Sequence, residues 1–141
     1  MHKKILHGLD GSSGSFKALE EAVDLAKRSG AELHTISVEE VPRGADDIDI
    51  GEIIEEKELA DHAFQEAIAK AREMAARAGV PVHCHIVLGH EVKTILEFIK
   101  VHGFDLLVIG FMGHSAIYDR VMGSTCQTLV RMAPCSVLVA K

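Results

Sequence analysis

Five short runs of aliphatic and β-branched residues are separated by four stretches whose apolar residues recur at helical spacing, and this alternation constrains the fold more than any other feature. The strand-like runs are Ile5 to Leu9, Glu32 to Val38, Val82 to Leu88, Leu106 to Ile109 and Ser136 to Ala140. Leu106-Leu107-Val108-Ile109 is apolar throughout, as expected for a strand covered on both faces. Between the runs, Phe16, Leu19, Ala22, Val23 and Ala26 form one helical stripe, and Gly30 is placed to end it. A longer stripe passes through Ala60, Ala63, Phe64, Ala67, Ile68, Ala71, Met74, Ala75 and Ala78 and stops at Gly79-Val80-Pro81. Val92, Ile95, Leu96 and Ile99 make a third, ending near Gly103; Cys126, Leu129, Val130 and Ala133 make a fourth, closed by Pro134. Strands and helices in strict alternation demand right-handed crossovers, hence a parallel sheet between two helix layers. The predicted class is a single-domain α/β three-layer sandwich over residues 1–141.

Composition narrows what such a domain does. With a net charge of −6 and 15 scattered Lys and Arg, the chain lacks the basic stripe through which duplex binders contact phosphates. Cys84, Cys126 and Cys135 are odd in number and show no C-x-x-C spacing, which predicts buried reduced thiols rather than disulfides or a thiolate zinc site. No apolar run has the length of a membrane span and the N-terminus lacks the pattern of a signal peptide, so a cytoplasmic protein with no membrane partner is expected. Glu39 to Glu58, with Pro42, Gly44, Gly51 and a run of acids, reads as a mobile, solvated loop; Asp47-Ile48-Asp49-Ile50-Gly51 lacks the tight ligand spacing of a calcium loop. His83 and His85 share one face of the third strand, but no third ligand is evident beside them, so they read as exposed edge residues and no metal site is predicted.

In an open parallel sheet, ligands bind beyond the carboxyl ends of the strands where strand order reverses. The exit of the fourth strand is the richest: Gly110-Phe111-Met112-Gly113-His114-Ser115, then Gly123-Ser124-Thr125 opening the last helix. Gly110 and Gly113 allow backbone angles closed to other residues and a close main-chain approach to an anion, and the helix start favours phosphate. Together they form a cradle for a polyphosphate that needs no lysine. On spacing alone a second reading stands equally: the glycines turn the chain and Ser124 caps the helix. Asp10, beyond the first strand, is likewise either a ligand contact or part of a helix cap with Ser12 or Ser13.

Gly110-x2-Gly113-x9-Gly123-Ser124 resembles the nucleotide motif of the universal stress protein family, G-2x-G-9x-G followed by Ser or Thr. The opening Lys4-Ile5-Leu6-His7-Gly8-Leu9-Asp10-Gly11-Ser12 and the closing Ala133-Pro134-Cys135-Ser136-Val137-Leu138-Val139-Ala140 are similar to that family as well, so the likeness covers essentially the whole chain. The resemblance implies a Rossmann-like fold with strand order 3-2-1-4-5 and an ATP site between strands one and four. It implies that Leu9 and Asp10 contact the adenosine end, that Val38 meets adenine, and that Ile109 and Gly110 approach the sugar and first phosphate. Gly113, Gly123, Ser124 and Thr125 would then hold the phosphates, with Mg²⁺ bridging phosphate oxygens and AMP or ADP as alternative ligands. A homodimer through the last strand, with Val137 and Val139 facing the partner, is also implied. Phe111 and Met112 depart from the polar or basic residues of many relatives; His114 and Arg120 either compensate or face solvent.

Phosphoryl transfer needs a positioned nucleophile and cationic charge beside the metal, and the loop offers neither lysine nor general base. The expected activity is therefore nucleotide binding in a stress-response sensor or regulatory module, with slow or no hydrolysis. The rival is a nucleotide-free dimeric interaction protein of the same fold, its regulatory partner unidentified in either case. A Walker P-loop is excluded because no Gly-Lys-Ser/Thr occurs. A receiver domain would need an acceptor Asp where this chain has Gly89-His90.

Overall fold

The computed structural model describes residues 2–40, 50–111 and 122–141, without the side chains of residues 50–61 and 63. Its elements in order are β1 (Lys4–Gly8), α1 (Ser13–Ser29), β2 (Glu32–Glu39), α2 (Ile50–Ala78), β3 (Val82–Leu88), α3 (Glu91–His102), β4 (Leu106–Gly110), α4 (Ser124–Met132) and β5 (Ser136–Ala140). All strand pairs are parallel and the sheet order is β3-β2-β1-β4-β5. The expected class and strand order are therefore those of the molecule.

Strand alternation sorts the core into two layers. Ile5, Leu33, Leu106 and Val108 face α1 and α2, where they meet Leu19, Val23, Ala67 and Ala71. Leu6, Ile36, Leu107 and Ile109 face α3 and α4, where they meet Ile95, Ile99, Cys126 and Leu129. The central strands β1 and β4 are almost wholly buried, as their apolar sequence requires. Two helices end as predicted: Gly30 and Gly103 are left-handed caps at φ 70° and 71°, donating to the carbonyls of Ala26 and Ile99.

The fold departs from the sequence reading in two places. α2 begins at Ile50, so the acid-rich residues 50–58 are helical rather than part of a loop. Glu52, Glu55, Glu56 and Glu58 are good helix formers, a propensity hidden in the sequence by Gly51 and the neighbouring acids. Glu39 closes β2 and is buried, and residues 41–49, with Pro42, Gly44 and Asp46, lie outside the described residues. Val130, assigned to the buried stripe of α4, is instead 43% exposed. Among the described residues, no helix is long and apolar enough to cross a membrane.

β1 continues to β2 on one side of the sheet, while β4 lies against β1 on the other. Crossovers leaving in opposite directions open a crevice at the carboxyl ends of β1 and β4.

Candidate functional site

A cleft of about 780 Å³ occupies that crevice, a volume suited to a small ligand. Gly8 to Ser12 line it from β1 and the following turn, Ile36 and Val38 from β2, Ile109 and Gly110 from β4, and Gly123 to Cys126 from the start of α4. Leu9, Asp10, Val38, Ile109, Gly110, Gly123, Ser124 and Thr125 thus surround one cavity. Gly113, Met112, His114 and Arg120 lie outside the described residues.

The turn after β1 is built by side-chain hydrogen bonds. Gly11 takes φ 83°, a conformation that glycine tolerates, and Ser12 caps α1 by accepting from the Ser15 N–H at 3.1 Å. Asp10 Oδ1 accepts from both the Ser12 N–H at 2.8 Å and the Ser12 hydroxyl at 2.5 Å. Asp10 therefore supports the cap through Ser12 while its carboxylate lines the cleft. Leu9 is 1% exposed; its N–H donates to the Ile36 carbonyl and its carbonyl accepts from the Ser37 hydroxyl. Its contribution is to the floor.

The glycines at the exit of β4 differ from one another. Gly110 has no positive φ, so the backbone freedom expected of it is not used. Instead, a Cβ there would lie 2.8 Å from the carbonyl carbon and oxygen of Gly14, which makes Gly110 the contact that lets α1 approach β4. Gly123 is the N-cap of α4, at φ −60° and ψ 150°, and carries no side-chain cap. Its N–H donates to the Phe111 carbonyl at 3.1 Å, tying the helix start to the end of β4. A Cβ on Gly123 would come no nearer than 3.7 Å to that carbonyl, so packing among the described residues does not require glycine. Among the described residues, the first turn of α4 therefore meets the cleft without a capping side chain, its Ser124 and Thr125 beside it.

Contributors from helix faces brought in by tertiary packing escaped sequence reasoning. Phe16 of α1, with Phe64 and Lys70 of α2, lines the cleft, and the Lys70 ammonium sits 4.1 Å from the centroid of the Phe16 ring. The cleft thus has a lysine along its lining, contributed by α2. Glu66 and Glu91 add carboxylates. Beneath the floor, His7 is fully buried and its Nε2–H donates to the Ser15 carbonyl at 2.7 Å. Burial lowers its pKa from 6.5 to about 4, against the opposing effects of the Ser15 carbonyl and Asp10, so His7 is neutral near pH 7.

The cysteines are free, Cys126 buried and Cys84 and Cys135 half-buried, and burial raises the Cys126 and Cys135 thiols above their usual range. The histidines of β3 are not isolated, contrary to the sequence reading. Parallel register sets His34 beside His83, so His34 and Glu32 supply partners that the third strand alone could not reveal.

The architecture and cleft define a doubly wound α/β protein with a cavity at the switch point of the sheet. The universal stress protein family model matches residues 1–141, and the chain belongs to that family. A universal stress protein of Methanocaldococcus jannaschii is 33% identical, the match covering all of this chain and 83% of that one. The structure of the universal stress protein UspA from Lactobacillus plantarum is similar at TM-score 0.88 and 26% identity, over 99% of this chain and 98% of that one. A universal stress protein in complex with cAMP has TM-score 0.74 at 24% identity, over 99% and 97% of the two chains. An Arabidopsis thaliana family member with AMP bound has TM-score 0.71 at 14% identity, over 99% and 91%.

Proposed function

We propose that this chain binds an adenine nucleotide in the cleft, ATP with Mg²⁺ first and AMP or ADP as alternatives, and works as a nucleotide-responsive regulatory module of the stress response. The observation that carries the proposal is the start of α4. Among the described residues, its N-terminal N–H groups meet the cleft without a capping side chain, at a glycine that packing does not require. A polyphosphate satisfies those donors and benefits from the helix dipole, and the absent Cβ lets it approach the backbone. Ser124 and Thr125 add hydroxyl donors, and Gly113 is proposed to complete the cradle.

The other end of the cleft suits a nucleoside. Val38 and Ile109 offer apolar contact to adenine and sugar, Leu9 and Gly110 shape the floor, and the Asp10 carboxylate accepts from ribose hydroxyls or the base amino group. The cAMP and AMP carried by the two related proteins are consistent with an adenine ligand. Among the described residues, the cleft offers scattered carboxylates rather than a converging set of three, so Mg²⁺ is proposed to enter on the phosphates. Bound there, it would neutralise phosphate charge.

Lys70 is the cation that lines the cleft among the described residues, and its side chain is exposed. That environment favours binding over phosphoryl transfer, so turnover is slow or absent. A homodimer through the β5 edge, with Val137 and Val139 at the contact, and an unidentified regulatory partner in the cytoplasm complete the proposal.

Denaturing the freshly purified protein and chromatographing the supernatant tests the binding claim. Adenine nucleotide released from the native chain and absent from a Gly123→Asp variant supports it. No released nucleotide, together with no binding of added ATP, overturns it.

A further inference from the structure

At the opposite end of the sheet from the cleft, the amino-terminal halves of β2 and β3 bring together chemistry that nucleotide binding does not use. Glu32 and His34, two residues apart, project from the same face of β2, and the register places His83 of β3 beside His34. One ligand atom from each of Glu32, His34 and His83 lies within 4.8 Å of the others. We propose that these three residues form a site for a divalent first-row transition metal, zinc by its donor set, bridging β2 to the edge strand β3.

Two imidazoles and one carboxylate are a zinc donor set that leaves a fourth position for water. His34 is already oriented for the task. Its Nε2 lies 2.6 Å from Glu32 Oε1, and its Nδ1 lies 2.8 Å from Nε2 of His85. In the ion-free site His34 Nε2–H donates to Glu32 Oε1; a bound ion would take the place of that proton, the Glu32 oxygen moving back beside it, with His34 in the tautomer whose Nδ1–H donates to Nε2 of His85. His85 is then a positioning residue, holding the ligand's tautomer as outer partners of metal-bound histidines do.

Surrounding rings fix both imidazoles. His85 stacks on His34 with centroids 5.1 Å apart and packs on Phe98 at 5.0 Å, while Phe104 meets the His34 ring edgewise at 5.0 Å. His83 stacks over His34 at 4.6 Å yet remains exposed, so closing on an ion needs only side-chain rotation. The opposing charge is Lys4, whose ammonium is engaged with the His102 carbonyl at 2.6 Å and lies 4.7 Å from the Phe104 centroid.

The test is titration of the chelator-stripped, thiol-reduced full chain with Co²⁺, followed by displacement with Zn²⁺. The expected result is one Co²⁺ per chain, with visible d–d bands of low coordination number and no thiolate charge-transfer band. His83→Gln and Glu32→Gln, both at exposed positions, should each weaken binding by about tenfold or more with far-UV circular dichroism unchanged. His85→Phe, which keeps the stacking and removes the hydrogen bond, should weaken it by roughly 10- to 100-fold. His62→Gln, an exposed histidine on α2, should change nothing. No saturable Co²⁺ signal up to millimolar metal, equal binding by His83→Gln, or a thiolate band from the cysteines would each overturn the proposal.

Discussion

A methyl group at residue 110 would meet the backbone of Gly14, and backbone cannot rotate away. Gly110→Ala should therefore cost about 1–3 kcal/mol in urea unfolding, because α1 must shift off β4. Gly123 tests the opposite case. Aspartate is a better N-cap than glycine, so Gly123→Asp should stabilise the chain by about 0.5 kcal/mol while its charge repels phosphate and removes ATP binding. Stability and affinity moving in opposite directions is a signature that a misfolded variant cannot produce. His7 links the floor of the cleft to pH. Its folded pKa of about 4 lies below the ordinary histidine value of 6.5, so between these values the unfolded chain binds the extra proton. Stability should rise with pH across that window and be lost as pH falls through it, by roughly 3 kcal/mol from this one group. The measurement is the difference in unfolding free energy between wild type and His7→Gln at pH 7 and pH 4.5; a constant difference would contradict it.

At the scale of elements, what the sequence made legible were features written in a single segment. β3 and β5 run as expected over Val82–Leu88 and Ser136–Ala140, and α1 and α3 stop at glycines that signal their ends locally. The start of α2 was obscured because Gly51 and clustered acids break the apolar period that marks a helix. Contacts between elements were not legible. Lys70 reaches the cleft only because α2 packs beside α1, and His34 meets His83 only through the β2–β3 register. This gives α2 a role that can be measured. Lys70→Met should weaken ATP binding roughly 3- to 10-fold and flatten its salt dependence, while adenosine binding stays unchanged. Equal loss for ATP and adenosine would place Lys70 beside the nucleoside instead.

For the whole molecule, the two ends of one sheet have separate chemistry. The carboxyl ends of β1 and β4 open onto the cleft and the start of α4, whereas the amino ends of β2 and β3 gather imidazoles. Main-chain donors holding a phosphate in the proposed way would supply neither nucleophile nor base, so ATP turnover by the pure protein should stay far below the roughly 1–100 s⁻¹ of kinases. A phosphate-release assay with Mg²⁺ checks this, and kinase-like turnover would contradict it. The most direct measurement is isothermal titration of nucleotide-stripped protein with Mg²⁺–ATP, run beside Gly123→Asp. A saturable heat for one nucleotide per chain, missing in the variant, is the predicted result. No heat from the folded wild type at millimolar ATP, or the same heat from both proteins, would show that the start of α4 does not hold the phosphates.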